Sequence, residues 1–265
     1  METVKLNNGV EMPILGYGVF QVGSDECQRC VRDALDVGYR LIDTAQAYYN
    51  EEGVGAAIKS SGVKREDVFL VTKIWISNAG EEKAAKSIDE SLRKLQTDYV
   101  DLLLIHQPIG DYYGTYRAME KAYKAGKVRA IGISNFDKDE ELFDTFLKKV
   151  KTKPQAMQLE CNPYAQRRHW QNKLKMHNIQ QENWYPLGGR QSNGLILKDP
   201  TINKIAAAHG KSAAQIILHW HIQEGFSAIP GSSNPDYIRE NIDIFDFRLS
   251  GEEMEKIGST PKVVE

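Results

Sequence analysis

From Gly16 onward, an apolar run of strand length followed by a longer amphipathic segment recurs eight times. The runs fall at 16–20, 40–43, 68–73, 99–105, 128–133, 155–160, 179–184 and 227–230. The helical segments fall at 25–37, 51–61, 81–95, 113–125, 138–149, 166–177, 200–209 (with a second at 212–224) and 235–241, and one short helix closes the tail. Ser24 stands where it can cap the first helix, and Gly38, Gly62 and Gly126 follow the ends of three of them. Strict alternation of this kind argues for a parallel sheet covered by helices. An open doubly wound sheet is the rival, but eight repeats in 265 residues favour closure into a (β/α)8 TIM barrel. A dinucleotide-binding open sheet should also carry G-x-G-x-x-G at a strand-helix turn. Gly16-Tyr17-Gly18 has Gln21 in the third place, and Gly53-Val54-Gly55 has Ile58 there. Ahead of the alternation, Val4–Leu6 and Val10–Ile14 flank Asn7-Asn8-Gly9 and predict an N-terminal β-hairpin. Glycines and prolines sit at strand ends and turns with no low-complexity linker, so one domain over 1–265 is expected.

In a barrel of this type, chemistry belongs at the C-terminal ends of the strands. Asp43, Lys73 and His106 end the second, third and fourth strands, and Tyr48 lies in the loop after the second. Ser134 and Asn135 end the fifth, and Gln158 lies late in the sixth. Taken singly, each has a plain structural explanation. Asp43 could cap a strand end, Lys73 could be solvated, His106 could be a satisfied core histidine, and Tyr48 is one of twelve tyrosines. Taken jointly, an acid, a phenol, an amine and an imidazole at one rim form a complementary set. A carboxylate ending a buried strand also needs a partner.

Bulk properties remove several function classes. The formal net charge is -2 with both signs interspersed, so no nucleic-acid partner is expected. The longest apolar runs are of strand length, too short to span a membrane. The first residues show no basic region followed by an apolar run, so no secretory signal is read there. Three cysteines do not make a disulfide framework. Cys27 and Cys30 form a C-x-x-C inside a helical segment, where both thiols share one face and core packing is the expectation over redox or metal chemistry. Reduced thiols fit a cytoplasmic protein.

The segment Gly38-Tyr39-Arg40-Leu41-Ile42-Asp43-Thr44-Ala45, with Tyr48, Glu51 and Gly55 after it, resembles the first signature of the aldo-keto reductase family. The stretch from Lys94-Leu95 through Asp98-Tyr99-Val100-Asp101 to Ile105-His106 and Pro108 is similar to that family's fourth-strand region. Gly132-Ile133-Ser134-Asn135-Phe136, Gln158-Leu159-Glu160 with Asn162-Pro163-Tyr164, and Trp184-Tyr185-Pro186-Leu187-Gly188 resemble the ends of strands five, six and seven. The resemblance covers nearly the whole chain. It implies reduction of carbonyls with NADPH or NADH lying across the barrel mouth, and no metal. The implied catalytic set is Asp43, Tyr48, Lys73 and His106, with Tyr48 as proton donor. The implied cofactor contacts are Gly18, Val19, Ser134, Asn135, Gln158, Trp184, Leu187, Gly188, Ser232, Ser233, Asn234, Tyr237, Glu240 and Asn241.

One departure stands out. The family commonly has lysine where Gly231 stands and arginine where Tyr237 stands, and those cations hold the 2′-phosphate of NADPH. Each lost charge-assisted hydrogen bond is worth about 1.5–3 kcal/mol, so relaxed selectivity between NADPH and NADH is expected. Phe20, Tyr49, Trp75 and Gln107 are the expected substrate walls, with Gln107 where many relatives carry tryptophan. The partner is then a small carbonyl compound, such as an aldehyde, ketoaldehyde, diketone or keto sugar, and a monomer is the expected state. The alternatives are a cofactor-binding regulatory subunit without turnover and a barrel with only a scaffold role.

Overall fold

The computed structural model describes residues 2–189 and 192–260. The chain opens on an antiparallel hairpin, β1 (Thr3–Lys5) and β2 (Glu11–Pro13), in which Gly9 turns the chain at φ 90°. The alternation follows as β3 (Tyr17–Gly18), α1 (Ser24–Asp36), β4 (Leu41–Asp43), α2 (Glu51–Ser60), β5 (Phe69–Ile74), α3 (Glu81–Leu95), β6 (Leu102–Ile105), α4 (Tyr112–Lys124), β7 (Ile131–Ser134) and α5 (Glu140–Lys149). It continues as β8 (Ala156–Glu160), α6 (Arg168–Met176), β9 (Gln180–Trp184), α7 (Pro200–His209), α8 (Ala213–Gln223), β10 (Ser227–Ala228), α9 (Pro235–Ile242) and α10 (Gly251–Gly258).

Strands β3 to β10 form one eight-stranded parallel sheet in sequential order. The sheet closes on itself. Gly16 N–H donates to Ala228 O at 2.9 Å, Ala228 N–H to Ile14 O at 3.0 Å, and Gly18 N–H to Pro230 O at 3.0 Å. This is the expected (β/α)8 barrel with its N-terminal hairpin.

Three apolar clusters hold it, one of them among α7, α8 and α10 around Trp220. Inside the barrel, Leu41, Phe69, Val71, Leu102, Leu104, Ala130, Ala156 and Ile229 pack together with Leu6 and Met12 from the hairpin. Between sheet and helices lies a larger layer that includes Cys27, Cys30 and Cys161, all buried and unpaired. The C-x-x-C is thus core packing in α1. The hairpin turn is tied to strand beginnings: Asn7 Nδ2 donates to Pro154 O and Asn178 O, each at 2.9 Å, and Asn8 Nδ2 to Arg129 O at 3.0 Å. The hairpin therefore covers the N-terminal end of the barrel and leaves the C-terminal rim as its open mouth.

Element boundaries differ from the sequence expectation where polar contacts intervene. The fourth barrel strand was expected from 99 and begins at Leu102, because the buried Asp101 carboxylate instead accepts from Leu70 N–H at 2.9 Å and pairs with Arg65 and Arg129. Ser24 is not a cap but the first residue of α1, and Gly23 before it makes no side-chain cap. The first and last barrel strands shrink to two residues each, since their outer parts bond across the closure without regular pairing. Helix α6 starts at Arg168 because Arg167 takes a left-handed conformation at φ 52°.

Candidate active site

Three short polar side chains hold the loop that carries Tyr48. Asn50, buried, donates from Nδ2 to Val19 O at 3.0 Å and Val22 O at 3.2 Å, and Thr44 Oγ1 donates to Asn50 Oδ1 at 2.7 Å. Gln46 donates to Ser91 Oγ at 3.0 Å and accepts from Trp75 N–H at 3.0 Å. The single helical turn Gln46–Tyr48 is thereby fixed to β5 and α3. Tyr48 is half-buried and leans over the end of β5.

Lys73 is fully buried on β5, and its ammonium satisfies three acceptors. Nζ donates to Asp43 Oδ1 at 2.6 Å, to Thr44 O at 2.9 Å and to the Tyr48 hydroxyl at 3.3 Å. Burial alone would push the amine down, but Asp43, Tyr48 and Glu182 together hold it above its ordinary value, so it stays charged. The Tyr48 phenol is raised: burial outweighs the opposing pull of Lys73.

The His106 ring stands edge-on to Tyr48 with centroids 5.6 Å apart and to Trp75 at 4.9 Å. Burial first, and Lys73 second, push the imidazole down to about 3, so it is neutral at physiological pH. Its Nδ1 is buried without a protein partner. Asn135, at φ 62°, donates to His106 O and to Ser134 Oγ, each at 3.0 Å. Gln158 donates from one nitrogen to Asp43 Oδ2 at 2.9 Å and to Glu182 Oε2 at 2.6 Å. Acid, phenol, amine and imidazole, spread over residues 43 to 106, do come together at one rim.

Asp43, Tyr48 and His106 line a cavity of about 460 Å³, within the range of small-molecule sites, with Lys73 buried behind them. Its walls include Gly18, Phe20, Asp43, Tyr48, His106, Gln107, Ser134, Asn135, Gln158, Trp184, Leu187 and the Ile229–Ser233 segment. Of the sequence-expected residues, Val19 is buried behind the wall. Trp75 reaches the site only through its edge contact with His106, and Tyr49 is 82% exposed at φ 56° outside the cavity lining. Gly188 turns the chain at φ 84° between Leu187 and Gly189, which both line the cavity. Asn234, Tyr237, Glu240 and Asn241 lie along α9 beyond the cavity: Asn234 caps the helix, Tyr237 is exposed, Glu240 accepts from Ser212 and Asn241 is buried.

Four participants escaped the sequence reading. Gln21 and Tyr185 line the cavity, and the Tyr185 ring lies 6.0 Å from that of Phe20, which itself lies 5.0 Å from Tyr48. Arg29 on α1 donates to Ser233 O at 2.9 Å, bringing a guanidinium to the edge where Gly231 and Tyr237 supply no cation. Glu182 is buried in β9, and the signal for it was present as a charged residue inside a strand-length segment.

Comparison with known proteins gives one consistent result. The model of the Aldo/keto reductase family matches residues 14–260. The chain is 46% identical over 263 residues to a glyoxal reductase of Bacillus subtilis, covering 98% of this chain and 93% of that protein. It is 42% identical over 266 residues to morphine 6-dehydrogenase of Pseudomonas putida, covering 96% and 89%. Among solved structures, a Gox0644 mutant in complex with NADPH superposes with a TM-score of 0.92 at 35% identity, covering 99% of this chain and 94% of that one.

Proposed function

Because the chain belongs to the aldo/keto reductase family, we propose that this NAD(P)H-dependent oxidoreductase reduces small aldehydes and ketones, dicarbonyls foremost, with Tyr48 as proton donor. The observation that carries the reading is the placement of the buried Lys73 ammonium between Asp43 and the Tyr48 hydroxyl, both of which line the cavity.

The nicotinamide cofactor supplies hydride to the carbonyl carbon, and the protein must deliver a proton to the oxygen. Tyr48 enters the reaction protonated, since burial raises it. As the proton leaves, the phenolate forms 3.3 Å from Lys73 Nζ, and that ammonium stabilises it. Asp43 holds the ammonium in place and is itself held by Gln158. His106, neutral, donates a hydrogen bond to the carbonyl oxygen and aims it at Tyr48. General acid catalysis of this kind is typically worth about 10²–10⁴-fold.

The residues present suit a dinucleotide. Trp184 offers a ring face at the cavity and an indole N–H without a protein partner. Ser134, Asn135 and Gln158 would hold the carboxamide, Trp184 the ring, and Gly18, Val19, Leu187 and Gly188 the neighbouring phosphates. At Gly231 a Cβ would stand 2.5 Å from Gly18 O, so the backbone there forms a close, flat edge that admits no side chain. Ser232, Ser233 and Asn234 offer hydroxyl and amide groups to a ribose or phosphate, and the terminal half would run toward Tyr237, Glu240 and Asn241 on α9. Without the two usual cations, NADH and NADPH both serve. Phe20 and Gln107, with Trp75 and Tyr49 nearer the rim, bound the carbonyl side. The partial likeness to a glyoxal reductase supports a small dicarbonyl substrate.

Steady-state kinetics with glyoxal, methylglyoxal, a diketone, a keto sugar and an aromatic aldehyde, each with NADH and NADPH, test the reading. The expected result is turnover highest with a dicarbonyl and kcat/KM values for the two cofactors within about tenfold of each other. No turnover with any carbonyl would contradict it. A thousandfold preference for NADPH would overturn the selectivity and point to Arg29.

A further inference from the structure

Glu182 takes no part in the scheme above, yet it is bound into the same network. It is fully buried on β9, with Gln158 beside it on β8 and Ser227 beside it on β10. One nitrogen of Gln158 donates to both Glu182 Oε2, at 2.6 Å, and Asp43 Oδ2, at 2.9 Å. Both amide protons of Gln158 are therefore spent on carboxyl groups. Glu182 Oε1 and Ser227 Oγ are buried with no hydrogen-bond partner among the described residues.

The charge count is the decisive feature. The ionisable groups acting on Glu182 are Asp43 from β4 and Lys73 from β5; its strand neighbours Gln158 and Ser227 carry no charge. Lys73 is already matched by Asp43 at 2.6 Å. Two buried carboxylates facing one ammonium leave a negative charge uncompensated. A cation arriving in the cavity would compensate it. Of the two forms of a nicotinamide ring, the oxidised one is positively charged and the reduced one is neutral.

We propose that Glu182 is a positioning residue whose proton is linked to the oxidation state of the cofactor: it keeps the proton beside the reduced form and releases it to solvent when the site takes up the oxidised form. The proposal rests on the cofactor-binding reading given above. A ligand that favours one protonation state must be favoured by it in return. Oxidised cofactor therefore binds more tightly as Glu182 ionises, while reduced cofactor gains nothing. The direction agrees with the environment. Burial, and then the Asp43 carboxylate, push Glu182 up to about 8 against the opposing Gln158 and Lys73 contacts. Three neighbouring groups stay silent in that window: His106 lies near 3, and Tyr48 and Lys73 lie above their ordinary values. The 2′-phosphate of the cofactor also titrates, but it is common to both forms and cancels in their ratio.

Calorimetric titration of the wild-type protein with NADP⁺ and with NADPH, in two buffers of different ionisation enthalpy, reads the proton count directly. At about pH 8, NADP⁺ should release more protons than NADPH. Between about pH 6.5 and pH 9.5 the ratio of the NADPH to the NADP⁺ dissociation constant should rise about tenfold. In Glu182→Gln, an uncharged isostere that can still accept from Gln158, the ratio should stay at the wild-type low-pH value throughout. A merely structural role would shift both affinities at every pH. Equal proton release with both cofactors in the wild type, which needs no variant to fold, would overturn the proposal while leaving the reductase reading intact. A pH-dependent ratio that survives in Glu182→Gln would also overturn it. Failure to bind either cofactor would remove the functional reading itself.

Discussion

Lys73 is the residue on which the site turns. Its ammonium is buried, and each of its three acceptors depends on it. Lys73→Met should cost turnover heavily and leave Asp43 as an uncompensated buried charge, with a loss of stability of about 3–5 kcal/mol. Thermal melting and turnover of that variant check both. Gly231 makes a sharper case. Restoring the family's lysine there would drive its Cβ to 2.5 Å from Gly18 O, whose own N–H bonds Pro230 O across the barrel closure. Gly231→Lys should therefore lower the melting temperature and raise the KM for both cofactors, rather than simply install an NADPH preference; kinetics with each cofactor decide. At this scale the sequence was informative about identity but not about balance. It named the four groups and the rim they share. It could not show that desolvation outweighs Lys73 at Tyr48, nor that Glu182 shares a nitrogen with Asp43, because both depend on depth inside the barrel.

At the scale of elements, what was legible followed periodicity. Helix α3 was expected at 81–95 and is found at Glu81–Leu95, where apolar positions recur on one face and Gln96 ends the helix in the left-handed conformation. Misplaced boundaries sit at Asp101, whose partners Arg65 and Arg129 are distant in sequence, and at Arg167, whose left-handed backbone delays the start of α6. The α9 region was read as part of the cofactor site, and the cavity lining ends at Ser233, two residues before that helix begins. Close helix packing was not legible at all. A Cβ on Gly55 of α2 would stand 2.6 Å from the backbone of Leu95, at the end of α3. Gly55→Ala should destabilise the protein by about 1–3 kcal/mol and displace the loop that carries Tyr48. Chemical denaturation measures the first effect, and a fall in kcat larger than any change in cofactor affinity reports the second.

For the whole molecule, closure divides the labour of the two ends. The hairpin seals the N-terminal end with Leu6 and Met12, so stability is concentrated there and chemistry at the opposite rim. Met12→Ala should cost about 2–5 kcal/mol with kcat unchanged below the new melting transition. Two buried histidines destabilise the folded chain as pH falls, while Glu182, raised to about 8 by burial, acts in the opposite sense above its ordinary carboxylate range. Burial lowers His106 to about 3 and His221 to about 4, while an unfolded histidine titrates near 6.5. The unfolded chain thus binds protons first as pH falls. The stabilisation is present above about 6.5 and is lost progressively toward 4, with His221 alone worth on the order of 3 kcal/mol across that window. Melting temperatures between those limits should fall, and less steeply in His221→Gln. The barrel and its hairpin were legible from alternation and from an Asn-Gly turn, since both are local patterns. The sealing of one end was not, because it depends on contacts between residues more than a hundred positions apart.

In the proposed reaction the phenol of Tyr48, poised by Lys73, supplies the proton. Tyr48→Phe removes a single oxygen and keeps the ring contacts to Phe20 and His106. Single-turnover oxidation of bound NADPH by glyoxal should slow by about 10²–10⁴-fold in this variant, while its NADPH dissociation constant stays within about twofold of wild type. An undiminished rate at saturating glyoxal would contradict the account.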